Sequence, residues 1–153
     1  MDTTPDRDDL VDTLNDLIEI SKDGERGFTA AADDVAETGL KQLLLDGARR
    51  CAEGARELQA EVRQLGGDPE RSGSVSGALH RGWMEAKTAV TGRDTLAVLE
   101  EVERGEDVAV RTYREALEKP LTPALRSVVQ RQFDGVLVNH ARVKQLRDQY
   151  RRS

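Results

Sequence analysis

Four stretches of this sequence carry apolar or small residues at helical spacing, and the breaks between them run short, long, short. That pattern constrains the fold more than any other feature, because each stripe must be buried against a partner. The first stripe is Leu10, Leu14, Leu17, Ser21, Gly24, Phe28, Ala31 and Val35. After a short break at "DDVAETG", the second is Leu40, Leu44, Gly47, Cys51, Ala55, Leu58, Val62 and Leu65. "GGDP" at 66–69 supplies a stop, with glycine just past the helix and proline beyond it. The third stripe is Leu99, Val102, Glu106, Ala109, Tyr113 and Ala116. "EKPLTP" at 118–123 makes a tight link, with Thr122 as N-cap and Pro123 at the first helical position. Leu125, Val129, Gln132, Val136, His140, Val143 and Tyr150 form the fourth stripe.

The expected architecture is therefore all-α: a hairpin over 7–66, a crossover over 67–94 and a second hairpin over 95–150, in one domain spanning 1–153. A shorter helix is expected inside the crossover, from about Gly77 to Val90. Short loops make helices antiparallel within each hairpin, and the long middle connection can travel the length of the bundle. One long crossover is the ferritin-like variant of the four-helix bundle.

Composition agrees. Charged residues make up 34% of the 153 and aromatics 3%, a mix suited to a helical protein with a Leu, Val and Ala interior. A net charge of −6 supplies no basic footprint for nucleic acid. Phe28, Trp83, Tyr113, Phe133 and Tyr150 are too few and scattered to make a base-stacking platform. No stretch approaches the ~20 apolar residues that span a bilayer, and the acidic start lacks a signal-peptide pattern. The lone Cys51 has no intramolecular disulfide partner and falls on a core stripe, so its expected role is a small buried hydrophobe. Together these features predict a cytoplasmic protein without nucleic-acid partners or a membrane span. Packed bundles often self-associate, so a homo-oligomer is the expected assembly, if any.

The two hairpins overlay without a gap at an offset of 81. Gly24 and Glu25 then meet Gly105 and Glu106; Arg50 meets Arg131; Glu53-Gly54 meets Asp134-Gly135; Val62 meets Val143. This register predicts two pseudo-equivalent halves and pairs Glu25 with Glu106 at the bundle centre. Shared helical patterning also produces such matches.

"LNDLIEISKDGERGF", "GGDPERSGSVSGALHRGWMEAK", "LEEVERGEDVAVRTYREAL" and "NHARVKQLRD" resemble a bacterial family of ferritin-like four-helix-bundle proteins whose domain is one of unknown function. The resemblance runs from about Leu14 to Asp148. It implies the fold and a distant kinship with di-iron carboxylate proteins, and no established activity.

A di-iron bundle takes a Glu from each of two helices and a Glu-x-x-His from each of the other two. Here Glu25 and Glu106 stand in the Glu positions, with Glu103 one turn before Glu106. Helix 4 offers His140, but Leu137 lies three residues before it; on helix 2 the matching positions are Gln59 and Arg56. Both Glu-x-x-His motifs are missing. Glu25, Glu103, Glu106 and His140 are left as candidate ligands for a single ion, with iron or zinc the candidates. Two other readings of Glu106 stand beside this one. It can belong to a structural polar network, with His140, Gln132, Asn139 or an arginine as partner, since a buried charge needs one. Or it can reach solvent at a bundle edge.

"HRGW" (His80, Arg81, Gly82, Trp83) offers no nucleophile and reads as a crossover anchor. Acidic residues at the start of helix 1 and basic residues at the end of helix 4 complement the helix dipoles. The expected function is that of a non-catalytic binding or stress-associated bundle protein, the stress part following from the resemblance alone. The alternative is a metal-binding protein or degenerate di-iron-type oxidoreductase that uses the four candidate ligands.

Overall fold

The computed structural model describes residues 5–73 and 94–152. Four helices account for nearly all of them: α1 (Arg7–Asp33), α2 (Thr38–Gln64), α3 (Thr95–Glu118) and α4 (Pro123–Arg152). Local chemistry sets their ends. The Asp6 carboxylate caps α1 by accepting from the Asp8 N–H at 3.0 Å. Glu37 does the same for α2, accepting from the Gly39 and Leu40 amides. Asp94 accepts from the Ala97 N–H to open α3. Thr122 Oγ1 accepts from the Leu125 N–H, and Pro123 is the first residue of α4. The C-terminus of α2 closes as "GGDP" predicts. The Gly66 N–H donates to the Arg63 carbonyl and the Gly67 N–H to the Val62 carbonyl, with Gly66 at φ 81°. This is a Schellman motif, whose left-handed position suits glycine. The predicted crossover helix and the HRGW segment lie outside the described residues.

Two apolar clusters fill the bundle. One joins the end of α1 (Phe28, Ala31, Ala32), the start of α2 (Leu40, Leu44, Ala48), the start of α3 (Val98, Leu99, Val102) and Val143 near the end of α4. The other joins the start of α1 (Leu10, Leu14, Leu17, Ile18), the end of α2 (Leu58, Val62), the end of α3 (Tyr113, Ala116) and the start of α4 (Leu125, Val129, Phe133). This sharing of ends fixes the directions. α3 runs antiparallel to α1 and parallel to α2, so the α2–α3 connection must cross the length of the bundle. The expected long crossover follows from these contacts. Each fully buried Leu or Val contributes roughly 1.5–3 kcal/mol against an exposed reference, so the two clusters dominate the fold's stability.

All eight positions of the first stripe are buried. The fourth stripe drifts: α4 buries Phe133 and Asn139 more deeply than their neighbours Gln132 and His140. α1 packs broadly on α2 and α3 on α4, whereas α2 and α4 meet only sparsely.

The α1–α2 contact is closest at Gly24, where a Cβ would fall 2.8 Å from Cys51 Sγ and 3.7 Å from Cys51 Cβ. Gly24→Ala is therefore expected to destabilise the protein by roughly 1–3 kcal/mol through overpacking. In a Cys51→Ala background the clashing sulfur is gone, and the same change should be neutral or stabilising, because alanine is the better helix former. Urea denaturation of the four proteins of this cycle measures the coupling; additive effects would contradict the close contact.

Candidate functional site

Between the two apolar clusters the bundle is not filled. A cavity of about 500 Å³ opens at its waist, with walls from all four helices. Its apolar walls include Ile20, Phe28, Tyr113 and Val136, and its polar groups include Arg50, Glu57, Glu106 and Asn139. Four glycines, Gly24, Gly54, Gly105 and Gly135, line it.

Glu106 is the centre of this site. Its side chain is 4% exposed. Asn139 Nδ2 on α4 donates to Oε2 at 2.7 Å. The other oxygen, Oε1, is buried without a hydrogen-bond partner among the described residues. Burial pushes the carboxyl up to about 8; the Asn139 hydrogen bond and the Arg50 charge oppose that shift, while Asp107 and Glu103 add to it. At neutral pH Glu106 is thus mostly a neutral acid with one oxygen satisfied and one idle. A half-satisfied buried carboxyl costs stability, since no hydrogen bond from the described residues offsets the desolvation of Oε1.

The surroundings are held in place by a polar seam between α2 and α4. Tyr113 Oη donates to Gln132 Oε1 at 2.8 Å. Gln132 Nε2 in turn reaches Glu57 Oε1 at 2.8 Å and the Gly54 carbonyl at 3.3 Å. Arg131 pairs with the other Glu57 oxygen. Burial works to raise the Glu57 carboxyl, but the Arg131 and Gln132 hydrogen bonds outweigh it and hold Glu57 below the usual carboxylate range. Tyr113 stacks on Phe133 at 6.2 Å between ring centroids, and burial raises its phenol. Cys51 is partly exposed as a residue, but burial of its thiol pushes it up to about 12. It is therefore a protonated, unreactive wall group at neutral pH.

The four candidate metal ligands are placed apart. Glu25, which the offset of 81 pairs with Glu106, has a side chain 39% exposed, 3.7 Å from Lys22 of its own helix. Glu103 is engaged by Arg147 of α4. His140 Nε2 meets Asp107 Oδ1 at 2.6 Å, away from Glu106. Only Glu106 lines the cavity. Among the described residues no group of three or more His, Cys, Asp or Glu side chains is gathered to hold a metal ion. The residues present thus do not fit a di-iron centre. Of the partners named for Glu106 in a structural network, Asn139 is the one found, while Gln132 serves Tyr113 and Glu57 instead.

Sequence reasoning named an arginine among the possible partners of Glu106 and matched Arg50 to Arg131, but did not single out Arg50 as the cation whose charge acts on Glu106. It also missed Asp23, which is buried on α1. A Cβ on Gly73 would overlap the Asp23 carboxylate, so the chain beyond α2 passes close over it. Periodicity could not have marked Asp23, because Gly24 occupies the stripe position beside it.

The chain belongs to the family of the domain of unknown function DUF2383, whose model matches residues 9–119, from α1 to just beyond the end of α3. Among solved structures it is similar to a conserved hypothetical protein, Rv2844, from Mycobacterium tuberculosis. That likeness has a TM-score of 0.74 at 11% sequence identity, covering 93% of this chain and 99% of that one. It shows the shared fold. No curated protein matches the chain. No helix among the described residues is long and apolar enough to cross a membrane.

The buried acid has a pH signature. Its folded-state value of about 8 lies above the ordinary glutamate value of 4.5, so the folded state holds the extra proton. Its contribution is then fully present below about pH 4.5 and is lost as pH rises through 8, with a slope approaching roughly 1.4 kcal/mol per pH unit between. Glu106→Gln should flatten this part of the profile. Chemical denaturation of both proteins across that range checks it; parallel profiles would contradict a buried, protonated Glu106.

Proposed function

We propose that this protein is a non-catalytic, ferritin-like bundle that binds a small molecule in its waist cavity. The observation that carries the reading is the idle Oε1 of Glu106 in the wall of a 500 Å³ cavity. That volume suits a small organic ligand, and apolar walls with a few placed polar groups are the usual make-up of such sites.

The internal repeat supports the same reading. At the offset of 81, Gly24 and Gly105, Arg50 and Arg131, and Gly54 and Gly135 are matched pairs, and all six residues line the cavity. On this account the cavity straddles a pseudo-two-fold axis between two halves in one domain, and Glu25 and Glu106 have since diverged. The ferritin-like kinship supports the bundle's ancestry, and any link to stress rests on it alone. A cytoplasmic location and self-association belong to the same proposal.

The alternative, a metal-binding protein or degenerate oxidoreductase using iron or zinc, would need Glu25, Glu103 and His140 to leave Lys22, Arg147 and Asp107. Metal analysis after growth with both ions tests it: stoichiometric metal that is lost on Glu106→Ala would favour it over the present reading.

The cavity reading is tested by filling the space. A Cβ at Gly135 meets only Arg50 Cδ, at 3.7 Å, so there is room for a side chain. Gly135→Ala should stabilise the protein by roughly 0.5–1 kcal/mol, the helix-interior gain over glycine. Gly135→Leu should fold and abolish the binding of small fragments detected by ligand-observed NMR. Fragment binding that persists in Gly135→Leu would contradict a ligand site at the waist.

A further inference from the structure

We propose that the waist cavity is a site for a small organic monocation, an ammonium group on an apolar body, with the ammonium seated against Oε1 of Glu106. This inference rests on the cavity reading above and specifies the ligand's chemistry.

Three observations converge on a cation. The first is the idle carboxyl oxygen. Asn139 holds Oε2 by donating to it, an arrangement that suits the ionised carboxylate as its acceptor, and Oε1 is left for a donor from the cavity. An ammonium donates and does not accept, so one of its N–H groups supplies Oε1 with the donor it lacks, while the others need acceptors of their own.

The second is the charge of the lining. Glu53, Glu57, Arg50 and Arg131 line the cavity with Glu106, and Arg131 is already committed to Glu57. With Glu106 protonated these charges balance, two negative to two positive. A cation exchanged for the Glu106 proton keeps that balance, whereas a bound anion would add an uncompensated charge.

The third is the aromatic content of the walls. Phe28 and Tyr113 both line the cavity and are 3% exposed. Rings beside a carboxylate form a common setting for organic ammonium ions, whose charge is attracted to the ring faces while the apolar body fills the remaining space. A bare metal ion would find neither use for those rings nor enough ligands.

The groups that bear on Glu106 come from every side. Arg50 and Cys51 stand on α2, Glu103 and Asp107 on its own helix, Asn139 on α4, and Glu25 on α1 acts on the neighbouring thiol. Asp107 and Glu103 are each held by a partner from α4, His140 and Arg147. Arg50 is the positive group that competes with a bound ammonium. Because burial keeps Glu106 mostly protonated at neutral pH, seating a cation displaces that proton to solvent. Binding therefore strengthens as pH rises from about 6 to about 8, where an alkylammonium remains charged.

The test uses the whole chain and three probes of one shape: phenethylamine as cation, 2-phenylethanol as neutral analogue and phenylacetate as anion. Isothermal titration in buffers of different ionisation enthalpy measures affinity and proton release together. The expected result is that phenethylamine binds about tenfold or more tighter than either analogue. Its binding should release a substantial fraction of a proton near pH 7. Glu106→Gln should weaken it by about tenfold or more and remove the proton release, while Arg50→Met, which removes the competing charge, should strengthen it. If Glu106→Gln does not fold, the probe series and Arg50→Met still decide. Equal or tighter binding of the alcohol or the anion overturns the cation assignment and leaves the cavity reading standing. Binding of none of the three, in a protein whose cavity also takes no other fragment, overturns both.

Discussion

The hydrogen bond from Asn139 to Glu106 joins α3 to α4 at the one level of the bundle that neither apolar cluster fills. Above and below it, leucines, valines and aromatic rings close the interior. At the waist the chain instead places glycines, two arginines and a carboxyl group with one oxygen unsatisfied. A helical bundle reaches stability most readily by burying apolar surface throughout. Here the interior is interrupted by a polar cavity whose cost falls on the stability of the whole bundle. Such an interruption is the kind of local conflict that functional sites carry.

The polar seam explains why the cavity does not simply collapse. α2 and α4 approach each other through side chains: Gln132 bridges Tyr113, Gly54 and Glu57, and Arg131 holds the far oxygen of Glu57. These contacts brace two helices that otherwise meet sparsely. Meanwhile Gly24 lets α1 and α2 close to within reach of the Cys51 sulfur, so that side of the waist is tight while the opposite side stays open. The candidate ligands read from the sequence are instead used between helices. Glu103 and His140 tie α3 to α4 through Arg147 and Asp107.

Much of this was legible in the sequence. The stripes of α1, α2 and α3, the glycine stop at 66, the Thr122 cap and the long crossover all follow from periodicity and local capping chemistry, and the structure agrees with each. Glu106 was legible because a carboxylate broke an apolar stripe. Its partner was harder. On α4 the stripe read from sequence passes through His140, whereas the helix buries Asn139, one residue away. A difference of one position, about 100° around the axis, decides whether Glu106 meets an imidazole or an amide. Periodicity does not resolve that, because it depends on how α4 rotates against α3. The cavity was not legible: a sequence does not show which of its glycines line one shared space.

The most direct test of this account is the titration of Glu106 itself. Carboxyl 13C shifts of labelled protein, assigned by Glu106→Gln, follow that one group through pH. A midpoint near 8 is predicted, moving down when phenethylamine is present. An ordinary glutamate midpoint near 4.5, unmoved by the amine, would contradict a buried acid waiting for a cation.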